Sequence, residues 1–214
     1  MSVTVILVVL TALISYQAAQ NYTMYEKLLF RPYAMKRAGE WQRFLTHGFI
    51  HSRNGWTHLL VNMFVLYQIG EQVEGAFTDI FGGMKGKMLY LLLYLSAIVF
   101  SSVPSYLKHR DNPGYAAVGA SGATSALVFA FILFAPWAWF IFPPLPGVFL
   151  AIGYLWYSNY MSKRNIDNIG HDAHMYGAIY GLLLTVTLIY YYKPQVLQAI
   201  WGNFLAGPVP PPFF

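Results

Sequence analysis

Four polar residues stand in apolar stretches of this chain, where an unpaired polar group is costly: His58, Asn62, Ser121 and His174. Ser121 lies in Gly119-Ala120-Ser121-Gly122, whose small neighbours let another backbone or side chain come close to the hydroxyl. His174 opens the run Ala173-His174-Met175-Tyr176-Gly177, and Gly181 follows four residues on, a spacing that suits tight helix contact. A serine hydroxyl beside a neutral imidazole is a nucleophile with its general base. His58 and Asn62 stand at i and i+4, so one helix face presents both as N–H donors to a single point. Donors converging on a developing oxyanion are what acyl transfer requires. Each residue alone has a plainer reading, since a serine among small residues usually packs and a histidine near the end of a span usually anchors it. The set gains weight from its coincidence on one side of the membrane.

The elements that must position these groups follow from composition. Of 214 residues, 57% are hydrophobic and only 10% charged, against about 45–50% and roughly 25% in soluble domains. So little charge cannot cover a water-exposed surface of this size, so most of the surface faces lipid, and intrinsic disorder is excluded. The chain has no cysteine, which rules out disulfides, thiolate metal sites and a cysteine nucleophile. The net charge of +5 comes from basic residues spread over loops, which fits anionic lipid headgroups and not nucleic acid.

A spanning helix needs about 20 mainly apolar residues. Stretches free of Asp, Glu, Lys and Arg predict spans over Val3 to Ala19, Trp56 to Ala76 (with Glu71 and Glu74 at its far end), Met88 to Leu107, Ser121 to Ala135, Leu145 to Met161 and His174 to Tyr192. The prolines at 136, 143, 144 and 146 divide the fourth span from the fifth. The first span lacks a basic leading segment and a good cleavage site, so it reads as a membrane helix and not a signal peptide. Even-numbered spans run the same way through the bilayer, which puts His58, Asn62, Ser121 and His174 near one membrane face. The segment Asn21 to Gly55 mixes basic and apolar residues and reads as folded at the interface. Residues 1–193 form the membrane domain; residues 194–214 read as an interfacial helix with a Pro-rich end from Pro208 to Pro212.

Together, the six spans, the segment Glu40-Trp41-Gln42-Arg43-Phe44-Leu45-Thr46-His47-Gly48-Phe49-Ile50-His51, the pair His58 and Asn62, Gly119-Ala120-Ser121-Gly122 and Ala173-His174 with Gly177 and Gly181 resemble a rhomboid intramembrane serine protease of the bacterial six-span type. The resemblance covers nearly the whole chain. It implies an all-α, polytopic six-helix bundle, Ser121 as nucleophile, His174 as base, and His58, Asn62 and the Ser121 backbone N–H as the oxyanion site. It further implies that residues Gly114 to Ala120 dip into the membrane before the helix that Ser121 starts. Two departures stand out. The family usually carries an aromatic residue four positions after the serine, stacked on the catalytic histidine, where this chain has Ser125; His174 is then expected to be held less firmly. The family's Trp-Arg pair is also split here, with Gln42 between Trp41 and Arg43.

The expectation is therefore a serine endopeptidase that cleaves transmembrane segments of substrate proteins through a Ser121–His174 dyad, without cofactor or metal. Asp172, two positions from His174, faces another way on a helix and is no third member. Gly119, Gly122, Gly177 and Gly181 are expected to serve helix packing, while His47, His51, His109 and His171 are expected as anchors or supporting groups. The rivals are a non-catalytic rhomboid-like protein that binds or escorts membrane clients, and a small transporter, which would need charged groups at mid-membrane that spans two to six lack. Ten Lys and Arg lie on the side of the site against three on the other, which points it to the cytosol. Resemblance points it away, in the inner membrane of a bacterial cell, and the expectation follows the resemblance.

Overall fold

A computed structural model describes residues 1–53, 55–140, 143–164 and 170–208. Among them are ten α-helices and no strand, only the isolated bridges Phe30–Ala117 and Trp139–Pro146. The expected all-α architecture is thus borne out. Six long helices occupy the places of the six expected spans: α1 (Val3–Gln20), α5 (Thr57–Phe81), α6 (Gly83–His109), α7 (Ser121–Phe134), α8 (Gly147–Arg164) and α9 (His171–Tyr192). Of these, α1, α6 and α9 are long and apolar enough to cross a membrane by length and composition, and α7 is a shorter apolar helix. The segment between α1 and α5 folds as α2 (Tyr22–Leu28), α3 (Pro32–Ala38), α4 (Arg43–Thr46) and a 3-10 turn over His47–Phe49. After α9 comes α10 (Gln195–Leu205), which rests on the bundle through Trp137 Nε1 donating to the Phe204 carbonyl at 2.9 Å. The chain beyond Pro208, including the rest of the Pro-rich end, lies outside the described residues.

Several spans outrun their expected limits, because charge-free runs mark where charges begin and not where helices stop. The second was expected to end at Ala76 with Glu74 at its edge. Instead Glu74 is only 4% exposed and α5 runs on to Phe81. Its carboxylate accepts from the backbone N–H groups of Val3 (2.9 Å) and Thr4 (2.8 Å) and from the hydroxyls of Ser2 and Thr4 (both 2.9 Å). An acceptor from a neighbouring helix thus satisfies the unpaired first-turn donors of α1. The sixth span begins at His171, three residues before its expected start. Asp172 falls in that first turn, where negative charge favours a helix, and it pairs with Lys108 at 3.1 Å and with the Ser162 hydroxyl.

α7 sits at the centre. Gly122, Ala123, Thr124, Ser125, Ala126, Leu127, Phe129, Ala130 and Ile132 are all buried, on every side of the helix. Its 14 residues reach only about 21 Å at 1.5 Å rise, less than the roughly 30 Å hydrocarbon core. Ser121 opens this short helix, after a non-helical approach.

Candidate active site

Ser121 is the first residue of α7, with Ala120 as its cap, so the unpaired N–H groups of the helix start surround it. The preceding chain is non-helical, so its backbone groups need partners outside a helix ladder. The folded segment between α1 and α5 supplies them. Phe30 and Ala117 exchange two backbone hydrogen bonds at 3.0 Å, and Gly119 N–H donates to the His47 carbonyl at 3.0 Å. Gly119 adopts φ +116°, a conformation closed to residues with a side chain, and a Cβ there would stand 2.7 Å from Cε1 of His58. Gly119 was expected among helix-packing glycines; it lies in the approach to the helix, where it admits the His58 ring.

The other three glycines sit at helix contacts. A Cβ on Gly177 would lie 2.1 Å from the Gly122 carbonyl oxygen, and one on Gly181 would lie 2.3 Å from that of Ala126, so α7 and α9 meet backbone on backbone. Gly122 also faces α6, where a Cβ would stand 2.2 Å from Ser101 Oγ, and it would approach the Ala173 carbonyl at 3.4 Å. Residue 122 therefore faces residues 173 and 177. Ser121 and His174, each one position from these contacts, lie on the facing N-terminal turns of two helices in direct contact. Both are half-buried.

Asn62 is buried on α5. Its Nδ2 donates to the His58 carbonyl at 2.8 Å, and its Oδ1 accepts from Thr124 Oγ1 at 3.2 Å. Two bonds fix the amide and leave one N–H uncommitted. The same Thr124 hydroxyl lies 3.1 Å from the Ser121 carbonyl, so Asn62 is referred directly to the first turn of α7.

Two histidines read as anchors or supporting groups are part of this frame. His47 is 7% and His51 3% exposed, so neither is an interfacial anchor. Ser15 Oγ donates to the Phe49 carbonyl at 3.0 Å and lies 3.0 Å from His51 Nδ1. A hydroxyl has one proton, so His51 carries its own on Nδ1, and Nε2 accepts from the Ala120 N–H at 3.5 Å. That pattern requires neutral imidazole. Burial, with the nearby His58, lowers the His51 pKa to about 3, and burial lowers that of His47 to about 4. His47 Nδ1 donates to the Arg43 carbonyl at 2.8 Å, and its Nε2 meets Ser102 Oγ at 3.1 Å. The displaced tryptophan does not disturb Arg43, which is buried and donates to the carbonyls of Glu26 and Leu29 at 2.7 Å each.

His174 is not bare, despite Ser125 in the usual aromatic position. The Tyr154 ring, from α8, stacks on it with centroids 6.3 Å apart and planes at 21°, and the His171 ring meets it edge-on at 6.0 Å. Ser125 lies 2.6 Å from the Tyr154 hydroxyl. No sequence signal marked Tyr154, one of 17 tyrosines in the chain. Asp172 turns to Lys108 and Ser162, as its spacing from His174 implied.

Fold and site together define an integral membrane protein, a helical bundle that holds a serine, two histidines and an asparagine at one end. A family model described as Rhomboid domain matches residues 38–191. The chain belongs to the rhomboid family. It is also 27% identical over 178 residues to Rhomboid-related protein 1 of Caenorhabditis elegans, an alignment covering 79% of this chain and 45% of that protein. The chain thus spans a little under half the length of that relative.

Proposed function

We propose that the protein is an intramembrane serine endopeptidase. Ser121 Oγ attacks a backbone carbonyl of a substrate's transmembrane segment while His174 takes its proton; the imidazolium then gives that proton to the departing amine as the peptide bond breaks. Water, activated by the same imidazole, hydrolyses the acyl-Ser121 ester. The Ser121 N–H, the uncommitted Asn62 N–H and His58 serve the oxyanion, aided by the positive end of α7. The observation that carries this reading is the backbone contact of α7 with α9, which sets the turns bearing Ser121 and His174 against each other. Wild type is expected to react with a serine-directed fluorophosphonate and to cleave transmembrane substrates. Ser121→Ala and His174→Ala are each expected to lose both properties while staying folded, with effects that do not add. A folded Ser121→Ala variant that cleaves at the wild-type rate would end this reading. A wild type that neither labels nor cleaves but retains membrane clients would favour a binding role.

The reading includes substrates that are membrane proteins, contact with membrane lipids, residence in a cell's inner membrane, and a site facing away from the cytosol. The opposing charge count is weakened by the charges' engagements: Arg43 is buried, Arg31 pairs with Glu26 at 2.7 Å, Lys36 with Asp111 at 2.6 Å and Lys108 with Asp172 at 3.1 Å. Single cysteines at Asn112 and Met84, which is 72% exposed, test the orientation with an impermeant maleimide in intact cells. Labelling at 112 with protection at 84 is expected, and the reverse would overturn it. Met84 is used and not its neighbour Gly83, whose φ of +34° a cysteine side chain would strain.

A further inference from the structure

One side chain of α8 touches both halves of the site. Tyr154 stacks on His174 at 6.3 Å between centroids, and its hydroxyl lies 2.6 Å from Ser125 Oγ. Ser125 Oγ in turn lies 2.7 Å from the Ser121 carbonyl oxygen. The carbonyl can only accept, so Ser125 spends its single proton there. The proton between the two hydroxyls therefore belongs to Tyr154, which donates to Ser125. The chain of contacts runs one way, from Tyr154 O–H through Ser125 to the backbone of Ser121, while the ring lies against the imidazole at a separation usual for offset stacking. Phe129 of α7 closes on the same ring at 5.9 Å.

The helix that supplies this tyrosine stands at the edge of the bundle. Phe149, Ile152 and Trp156 on its outer side are 52, 63 and 67% exposed, whereas Ser158 on the inner side is 1% exposed. Its inner side meets the start of α9 a second time through Tyr157, whose ring lies 5.7 Å from that of His171.

We propose that Tyr154 is a positioning residue through which the seating of α8 sets the orientation of His174 and the backbone of Ser121. The inference rests on the protease reading and adds that reactivity depends on α8 being docked. Displacing α8 withdraws the ring from the base and the hydroxyl from Ser125 in the same movement.

The test uses the full chain in detergent and a fluorophosphonate probe, reading the saturating rate of Ser121 modification and the probe concentration giving half that rate. Tyr154→Leu, which loses ring and hydroxyl, is expected to react about tenfold more slowly with the half-saturating concentration unchanged. Tyr154→Phe keeps the ring and is expected to recover to within about threefold of wild type. Ser125→Ala serves as a second variant, since it removes the anchor and leaves the ring and helix intact. A several-fold slower saturating rate there supports the proposal even if Tyr154→Leu does not fold. Wild-type saturating rates in folded Tyr154→Leu, or in Ser125→Ala where that variant alone folds, would overturn it. Ser121→Ala separates the two readings. If it is unlabelled, a failure at Tyr154 and Ser125 sinks this inference alone; if it labels like wild type, the protease reading falls and takes the inference with it.

Discussion

The seam between α7 and α9 and the contact of α8 with the same two helices differ in what fills them. At the seam the side chains have been removed: Gly122, Gly177, Gly181 and Ala126 bring main chain against main chain, leaving no soft atoms to give way. At α8 the contact is made by long side chains, Tyr154 and Tyr157, reaching from a helix whose outer side is open. Backbone contact fixes a distance to within a fraction of an ångström, whereas an aromatic side chain can turn about two torsions. Ser121 and His174 stand beside the first kind of contact. Tyr154 reaches His174 by the second. A bundle built this way keeps the turns of Ser121 and His174 in register through main chain, while α8 meets them through side chains.

The largest effect is expected from breaking the seam. In Gly181→Val the new side chain meets the Ala126 carbonyl at 2.3 Å from Cβ alone, so α9 must move away from α7. Loss of fluorophosphonate labelling is expected, with a lower thermal midpoint in detergent, since overpacking a close contact costs about 1–3 kcal/mol or more. Trp156→Ala on the outer side of α8 is the matched control, expected to leave both within error. A Gly181→Val variant of full activity would show that the seam does not set the site.

An intermediate effect is expected on the donor side. Asn62→Ala removes a donor proposed to serve the oxyanion; one such donor is worth about 10² to 10³ in rate in soluble serine hydrolases. Thr124→Val keeps that donor and removes only the hydroxyl tying it to the Ser121 turn. Its loss is expected to be about tenfold smaller, and equal losses in the two variants would assign Asn62 to structure instead of chemistry.

A change of pH acts on the frame beneath both contacts. The unfolded chain titrates histidine near ~6.5, whereas folded His47 and His51 titrate at about 4 and about 3. As pH falls below about 6.5, the unfolded state takes up protons that the folded state refuses, so this stabilisation is complete above about 6.5 and is lost as pH drops towards 4. Thermal midpoints are expected to fall across that window, with the slope shallower in His51→Asn. A midpoint flat from pH 7 to about 4.5 would contradict neutral, buried imidazoles.

What could be read from the sequence follows from local order. Spans appear because lipid demands runs of apolar residues, and Ser121, His174, His58 and Asn62 stand out because polarity inside such runs is rare. Gly177 and Gly181 show themselves by their helical spacing, and the shared side of the membrane follows from counting helices. The boundaries near Glu74 and Asp172 were misjudged because both charges find partners on other helices, which no count along the chain can anticipate. Gly119 looks like its neighbours until the fold gives it a positive φ and a histidine ring to admit. His47 and His51 carry no mark that separates them from surface histidines; only their hydrogen bonds to Ser102, Ser15 and Ala120 do. Tyr154 is the extreme case, 33 residues from Ser121 and 20 from His174. Helical phase predicts which residues share a face of one helix, but not which face another helix turns towards it. That choice belongs to packing, and it is what places the tyrosine on His174.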